Sequence, residues 1–462
     1  MPGRPARNAV PALTVAAFAA ALAQTIVIAA LPALRAELHA TPGGVTWTLT
    51  AFMLAGAVVT PIAGRLGDLH GHRRVLLGCL LLFAAGSLVA ALAAAAHSLG
   101  WLVAGRALQG TSAGVFPLAF GIVRSAVPGH RAPGAIALIS TMFGIGGSAG
   151  MVVAGPVVDV LGTAWPFWLT LVLAGAALAL ALRLPAGPAG TPGRIDPIGA
   201  VLLSGTLVCL LLGIGQSRAW EPPQIIALFG GAAALLAAFT VAELRIREPL
   251  VDLRGLRART PLAANAATLL IAAAMFGAIT LVPRFVQAPD PGFGLSGSAS
   301  GLVMLPVAAL MLGGGPAAAR LGHRAALLAG TACAIGALVL LALAHAALWQ
   351  FYAAGALIGL GYGLAFAAIG NLVVQAADPA RIGTATGVNT IVRTVGGAIG
   401  AQAATALLDA APPDDGYPLA FAVFAGVAVG GLLAAAAVSR RGGHARDIGS
   451  RRSANAQVGA VE

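Results

Sequence analysis

Few residues in this sequence could carry chemistry, and two arginines in apolar surroundings are the most unusual of them. Arg106 and Arg393 each lie inside a long apolar stretch. A permanently charged group within a membrane span is rare and usually functional. Arg393 lies about twelve residues into its stretch, or ~18 Å along a helix, which is close to the middle of a bilayer. The two arginines therefore predict a polar pathway through an apolar protein.

Five uncharged polar residues share these apolar stretches and belong to the same predicted pathway for substrate or protons: Gln24, Thr25, Gln109, Asn265 and Asn389. Hydrogen bonding between helices is the alternative for Gln24, Asn265 and Asn389. For Arg106, which lies near a stretch end, the alternative is a side chain that reaches the membrane interface. Because no nucleophile, metal cluster or acid pair occurs at a usable spacing, we expect no catalytic residues, no metal, no cofactor and no enzyme activity.

Unlike the two arginines, the acidic residues do not lie in the interior of the apolar stretches. All 15 lie in loops or near the ends of apolar stretches, and the nearest to a stretch interior are Asp159, Glu243 and Asp409. A pathway with two arginines and no central carboxylate favours anionic or neutral substrates over lipophilic cations.

The elements that must position these residues are membrane helices. Of the 462 residues, 59% are hydrophobic and only 9% are charged, where a soluble domain has about 25% charged residues. Apolar stretches near or above the ~20 residues that cross a bilayer recur along the chain. They lack the alternation of a barrel strand, so they predict helices. We predict fourteen spans, at 11–34, 45–64, 75–96, 99–123, 134–156, 163–184, 197–215, 223–243, 261–286, 298–318, 325–346, 349–373, 382–408 and 418–438.

Arginine also predicts the topology. All 27 basic residues are Arg. If the N-terminus is cytoplasmic, 22 of them fall in cytoplasmic segments, three outside and two within spans. This bias toward the inside places both termini in the cytoplasm of a multi-pass plasma-membrane protein, which we expect in the bacterial cell membrane. It also explains the net charge of +12 without a nucleic-acid partner. Without Lys there is no phosphate-binding P-loop, so we expect no ATP as partner.

The sequence contains an internal repeat. Arg131, Gly146, Gly147 and Gly150 recur 250 residues later as Arg381, Gly396, Gly397 and Gly400, and two further segments match at shifts of 251 and 249. Repeats of half a chain are common in secondary transporters. The predicted organisation is a cytoplasmic N-terminus (1–10), a six-helix bundle (11–184), a linker with two extra spans (185–260), a second six-helix bundle (261–438) and a disordered cytoplasmic tail (439–462).

The segment "GRLGDLHGHRR" (64–74), between the second and third spans, resembles the signature loop of the major facilitator superfamily. In that family the loop gates the two bundles through contacts between charges and helix dipoles, which break in one of two conformations. The alternative is a simple basic turn. The residues to which the resemblance gives this gating role are Gly64, Asp68, Gly71, Arg73 and Arg74.

Two further segments resemble motifs of this superfamily. "LVAGRALQGTSAG" (102–114) has the Arg that the family uses in proton coupling or substrate polarity, here Arg106. "GIGGSAGMVVAGP" (144–156) is similar to the Gly/Pro-rich motif of its exporters, although Met151 departs from the pattern. Small residues at such spacing let helices pack closely. We therefore predict packing roles for Gly146, Gly150, Pro156, Gly396 and Gly400.

The whole chain is most similar to the fourteen-span drug:proton antiporter branch, on the evidence of "LAQTIVIAALP" (22–32), "REPLVDLRGLR" (247–257) and "GTATGVNTIVRTVGGAIG" (383–400). It departs from that branch at Ala23 and Ile28, where an Asp and an Asn are usual. The resemblance implies a monomeric carrier that exports drugs or secondary metabolites by proton antiport. The alternatives are an exporter or facilitator of a polar or anionic metabolite with other coupling, and a membrane sensor or scaffold without transport.

Overall fold

The computed structural model describes residues 5–185, 196–216, 220–246, 259–377, 382–410 and 416–437. Within these ranges the chain is almost entirely helical and has no strand, which confirms the prediction of an all-α membrane protein. The predicted motif segment 247–257, Arg381 and the tail 439–462 lie outside the described residues, as does the side chain of Asp409.

Nine helices of the described ranges precede residue 247, the last two of them within the predicted linker. Their bounds are α1 Pro5–Glu37, α2 Pro42–His70, α3 His72–Ala95, α4 Leu99–Gln109, α5 Val115–Ala126, α6 Ala132–Leu161, α7 Trp165–Leu182, α8 Pro197–Gly215 and α9 Pro222–Arg245. A 3₁₀ helix, Gly110–Gly114, joins α4 to α5.

Seven helices follow the linker in the part of the chain that is described. They are α10 Arg259–Gln287, α11 Gly297–Val303, α12 Leu305–Leu321, α13 His323–Leu343, α14 Leu348–Ala376, α15 Ile382–Ala410 and α16 Gly416–Ala437.

Thirteen helices in the described ranges are long and apolar enough to cross a membrane. They match thirteen of the fourteen predicted spans, while the predicted span 99–123 is divided between α4, the 3₁₀ helix and α5. The chain packs closely on α2 at the interruption, because a Cβ on Gly110 would lie 2.6 Å from the carbonyl oxygen of Phe52. A 3₁₀ stretch within a helix often marks a hinge or local strain. The total of fourteen spans and their orientation remain predictions.

The buried apolar residues form separate clusters along the chain. Two clusters draw mainly on helices α1 to α7, and a third draws almost entirely on helices α10 to α16. We call these two sets of helices the N half and the C half. A smaller cluster joins Leu203, Leu207 and Leu211 of α8 to Ala57 of α2 and Ile391 of α15. Helix α8 therefore covers a seam between the halves.

The predicted repeat has matching local structure in the two halves. Gly71 and Gly322 precede α3 and α13 with φ of 92° and 81°, which are conformations that favour glycine. Two residues later, Arg73 Nη2 donates to the carbonyl of Leu182 at 2.8 Å. Arg324 Nη2 likewise donates to the carbonyl of Ala436 at 3.0 Å. Gly71 and Gly322, like Arg73 and Arg324, are 251 residues apart, which is the shift of the sequence repeat in this segment.

Candidate functional site

Asp68, near the end of α2, joins the N half to the C half. Its Oδ2 accepts hydrogen bonds from the backbone nitrogen of Thr384 at 3.1 Å and from Thr384 Oγ1 at 3.0 Å. Thr384 is the third residue of α15. The first four N–H groups of a helix have no partner within it, and a negative charge is stabilising there. The side chain of Asp68 is buried, and its Oδ1 also lies 3.1 Å from His72 Nε2.

The segment 64–74 is more helical than a loop. Helix α2 continues through Gly64 and Asp68 to His70, and α3 begins at His72, which leaves Gly71 alone between them. The helical extension places Asp68 two residues before the helix end, against the start of α15. Gly64 is buried, and Arg74 is exposed.

Two further side-chain hydrogen bonds join the halves at this same end of the molecule. Arg124 Nη1, near the end of α5, donates to the carbonyl of Val374 at 3.2 Å. Asn371 Nδ2, near the end of α14, donates to the carbonyl of Pro133 at 3.0 Å. Together with the Asp68–Thr384 contact, these bonds form what we call the closed end.

A cavity of about 220 Å³ lies away from the closed end. Its wall includes residues 49–54 of α2, which lie at least ~21 Å along the helix from Asp68 at 1.5 Å per residue. The other walls come from α1, α8, α10 and α15. Both halves and α8 therefore surround it. Its lining is mostly apolar, and its polar side chains are Gln24, Thr25, Thr50, Thr394 and Gln402.

Two of the predicted pathway residues line this cavity and its neighbours. Gln24 lines three adjoining cavities, and Thr25 lines two of them. Thr25 also donates to the carbonyl of Gly147 at 2.7 Å, so its hydroxyl ties α1 to α6. Gln24 is the predicted residue that is placed best to meet a substrate from either half.

Arg106 and Gln109 do not line any of these three cavities. Arg106 is fully buried within the N half, where its Nε donates to the carbonyl of Thr48 at 2.9 Å. Its Nη1 donates to the carbonyl of Ala23 at 3.0 Å and to Gln109 Oε1 at 2.8 Å. Gln109 Nε2 in turn donates to Ser87 Oγ at 2.8 Å. The guanidinium thus ties α1 and α2 to α4, and it does not reach toward an interface.

Asn265 and Asn389 lie together in the C half. Asn389 Nδ2, in α15, donates to Asn265 Oδ1 and to Thr268 Oγ1 of α10, both at 2.9 Å. Hydrogen bonding between helices was the alternative to a pathway role for these two asparagines, and this contact is such a bond. Neither asparagine lines the three cavities described above.

Arg393 lies where the two halves meet, among aromatic rings. Its Cζ is 3.8 Å from the ring centroid of Phe143, 5.2 Å from that of Phe116 and 5.7 Å from that of Phe366. Phe116 and Phe143 belong to the N half, and Phe366 belongs to the C half. Cations over ring faces at such distances are attracted to them. We call these four residues the arginine cage.

The predicted packing glycines lie at close helix contacts. A Cβ on Gly146 would be 2.7 Å from the carbonyl oxygen of Phe18, and one on Gly150 would be 2.8 Å from that of Leu22, both in α1. Gly396 and Gly400 make the same kind of contact with the backbone of α10. The pairs α1–α6 and α10–α15 therefore correspond in the two halves. Pro156 lies within α6 and is exposed.

Several residues at these sites carry no local signal in the sequence. Thr384 and Asn371 are ordinary polar residues there, and Phe116, Phe143 and Phe366 are ordinary apolar ones. Except for Phe366, their importance comes from partners more than 200 positions away in the chain, such as Pro133 for Asn371. One usable signal was the repeat, because at its shift of 250 Thr384 corresponds to Gly134, the neighbour of Pro133 at the helix start.

Comparisons with known proteins bear on this arrangement. The sequence profile of the Major Facilitator Superfamily matches residues 13–401 and, in a second match, residues 264–457. The chain belongs to the major facilitator superfamily. This superfamily member is therefore a membrane transporter, which takes a small-molecule substrate and lies in the lipid bilayer as a multi-pass plasma-membrane protein.

Relatives of this major facilitator include named exporters. The multidrug transporter protein MdtP of Bacillus subtilis is 29% identical over 86% of this chain and 74% of its own length. The tetracenomycin C resistance and export protein of Streptomyces glaucescens is 31% identical over 88% of this chain and 76% of its own length. The crystal structure of the human organic anion transporter MFSD10 aligns with a TM-score of 0.68 and 18% identity, covering 94% of this chain and all of that one. The last likeness concerns the fold alone.

Proposed function

We propose that this transporter exports drugs or secondary metabolites from the cell by alternating access, in exchange for protons. The observation that carries the proposal is the closed end, where Asp68 of the N half caps the start of α15 in the C half. A carrier needs such a contact, because it must seal one end while the cavity opens at the other. The names of two relatives, a multidrug transporter and a resistance and export protein, support the substrate class.

We place fourteen spans in the membrane, with both termini in the cytoplasm, and we propose that the chain works as a monomer. Counting α4, the 3₁₀ helix and α5 as one interrupted span gives fourteen. The bias of 22 arginines toward one side supports the orientation. In this orientation the closed end faces the cytoplasm, and the 220 Å³ cavity lies in the outer half of the protein. The conformation is then the one from which an exported substrate has left.

In this scheme the cytoplasmic end opens when the Asp68–Thr384 contact breaks. The Asp68 carboxylate moves away from the N-terminus of α15, and the hydrogen bonds of Arg124 and Asn371 break at the same time. All three contacts join the N half to the C half, so a rocking motion of one half against the other breaks them together. The substrate then enters from the cytoplasm, and closure of the same contacts moves the opening to the outside.

We place proton coupling at Asp68. Among the described acidic residues, Asp68, Asp196 and Glu243 are buried. Asp196 and Glu243 belong to the ends of α8 and α9, whereas the carboxylate of Asp68 joins the two halves. The negative charge of Asp68 is what the α15 N-terminus stabilises, so neutralising that charge favours the form that is open at the cytoplasmic end. In the exchange that we propose, the proton enters from the outside while the outer cavity is open and leaves to the cytoplasm while the cytoplasmic end is open, and the end closes again after substrate has bound.

Efflux from whole cells tests the export proposal. A bacterial host without its own efflux pumps would be loaded with neutral, anionic and cationic aromatic compounds, and the compound that the cells retain would be measured. We expect cells with the wild-type chain to retain less of at least one compound than cells with Asp68→Asn. The matched control is Asp290→Asn, which alters an exposed carboxylate. Equal retention of every compound with and without the transporter would reject export.

A further inference from the structure

The arginine cage holds a charge that the protein does not neutralise. Arg393 is 4% exposed, and its Nε and Nη2 are buried without a hydrogen-bond partner among the described residues. The described part of the chain also gives it no carboxylate as an ion-pair partner. Burying a cation is costly unless it is paired, and each buried donor without an acceptor adds to that cost. The aromatic rings offset only part of this cost, since a cation–π contact does not replace the hydrogen bonds that the guanidinium makes to water.

The rings of the cage come from both halves, so the cage is intact only while the halves are in their present arrangement. Phe143 in α6 and Phe116 in α5 face Arg393 from the N half, with Phe143 closest at 3.8 Å. Movement of α15 away from the N half takes the guanidinium from these two rings. The Nε and Nη2 donors of Arg393 can then form hydrogen bonds with a molecule that enters the space between the halves.

That space is continuous with the pathway. Phe116 and Phe143 line a cavity whose wall also includes Thr390 and Thr394, which flank Arg393 on α15. Gln24 lines the same cavity. In the present conformation the two rings therefore separate the guanidinium from the cavity. When the rings move aside, the charge of Arg393 faces the cavity directly.

We propose that the arginine cage opens into a binding subsite for the anionic group of an aromatic organic acid, with Arg393 exposed once Phe116 and Phe143 move aside. The proposal rests on the alternating-access function above, and it assigns a substrate class to that pathway. A carboxylate or phenolate would accept from Nε and Nη2, and bidentate pairing with a carboxylate is a geometry that arginine favours. The aromatic part of the same molecule would lie beside Phe366, the ring of the cage that stays in the same half as Arg393. A cationic substrate would meet repulsion at the same position.

A matched pair of probes tests the charge requirement. Binding of 2-naphthoate and of its neutral amide, 2-naphthamide, would be measured on the purified full-length chain in lipid nanodiscs. We expect the wild type to bind the acid about tenfold or more tightly than the amide, which corresponds to one hydrogen-bonded ion pair. Arg393→Gln should lose that preference and leave amide binding within about twofold. Arg393→Lys should keep part of the preference, because it keeps the charge.

A second variant separates binding from folding. Phe143→Leu removes the ring closest to the guanidinium, so Arg393 leaves the cage more easily and naphthoate binding should tighten by about two- to fivefold. A purely structural cage predicts the opposite, since both Arg393→Gln and Phe143→Leu would then weaken binding. Arg284→Gln is the matched control, because it removes an exposed arginine from the same half.

Three results would overturn the subsite: equal binding of acid and amide by the wild type, no binding of either, or an Arg393→Gln variant that binds naphthoate as the wild type does. The cellular efflux assay keeps this outcome distinct from failure of the export proposal. A chain that exports neutral compounds but fails the naphthoate test is an exporter without this subsite. A chain that exports nothing fails the export proposal itself.

Discussion

The carboxylate oxygen Oδ2 of Asp68 lies 3.1 Å from the backbone nitrogen of Thr384, although the two residues are 316 positions apart. One residue lies in the last turn of the second helix, and the other lies in the first turn of the fifteenth. The contact therefore reports directly on the relative position of the two halves. It makes Asp68 the natural place to perturb the equilibrium between the two arrangements.

Replacing Asp68 by Asn should shift this equilibrium toward a form that is open at the cytoplasmic end. The amide keeps the shape but loses the charge that the α15 N-terminus stabilises, a loss of about 0.5–2 kcal/mol or roughly three- to thirtyfold in population. Spin labels at the exposed positions His70 and Gln375, in a chain whose three cysteines are replaced, would report the distance between the halves. In Asp68→Asn we expect a larger fraction of molecules to show a longer distance between the two labels than in the wild type. An unchanged distribution in Asp68→Asn would contradict the gating role.

Thr384→Val should have a smaller effect of the same sign. The valine removes the hydroxyl donor and leaves the backbone nitrogen in place, so one of the two hydrogen bonds to Asp68 remains. In the double variant with Asp68→Asn, the effect should fall short of the sum of the single effects, because both changes act on one contact. Fully additive shifts in the same distance measurement would show that the two side chains act independently.

The packing glycines give a prediction about stability. Gly150→Val places a side chain against the backbone of α1, where a Cβ would already lie 2.8 Å from the Leu22 carbonyl oxygen. Overpacking of this kind costs about 1–3 kcal/mol, so thermal unfolding in detergent should begin at a lower temperature. Gly175→Val is the matched control, since a Cβ there meets nothing within 4 Å. Equal unfolding temperatures for the two variants would contradict the close contact between α1 and α6.

Arg106 should behave as a residue that holds the N half together. Its guanidinium makes three hydrogen bonds, which connect it to Thr48, Ala23 and Gln109. Lysine cannot reproduce this planar arrangement, so we expect Arg106→Lys to destabilise the protein by about 3 kcal/mol or more. The change in unfolding temperature would measure it. An Arg106→Lys chain of wild-type stability with altered substrate preference would instead return Arg106 to the pathway.

Sequence patterns predicted the helices well, because bilayer thickness fixes how long an apolar stretch must be. The glycines at 146, 150, 396 and 400 were also predictable, since their spacing puts small residues on one helix face. The interruption between α4 and α5 was not, because it depends on how closely Gly110 approaches the backbone of Phe52. Sequence alone would have continued that helix.

For the polar residues too, the sequence predicted which ones are unusual but not what each one contacts. Arg106 and Arg393 are both conspicuous in the sequence, yet one lies in a hydrogen-bond network and the other among aromatic rings. Nothing local distinguishes them. The partners of Arg393 are phenylalanines that any apolar helix could contain, and two of them lie in the other half of the chain. Long-range packing therefore decides which arginine lies where the two halves meet.

Export with proton exchange is tested most directly in inside-out membrane vesicles. The uptake of a panel of neutral, anionic and cationic aromatic compounds would be followed after the vesicle interior is made acidic. We expect at least one compound to accumulate without ATP, to leak away when an uncoupler collapses the gradient, and to accumulate less with Asp68→Asn. Accumulation that ignores the uncoupler would contradict proton exchange, and the absence of accumulation for every compound would contradict export.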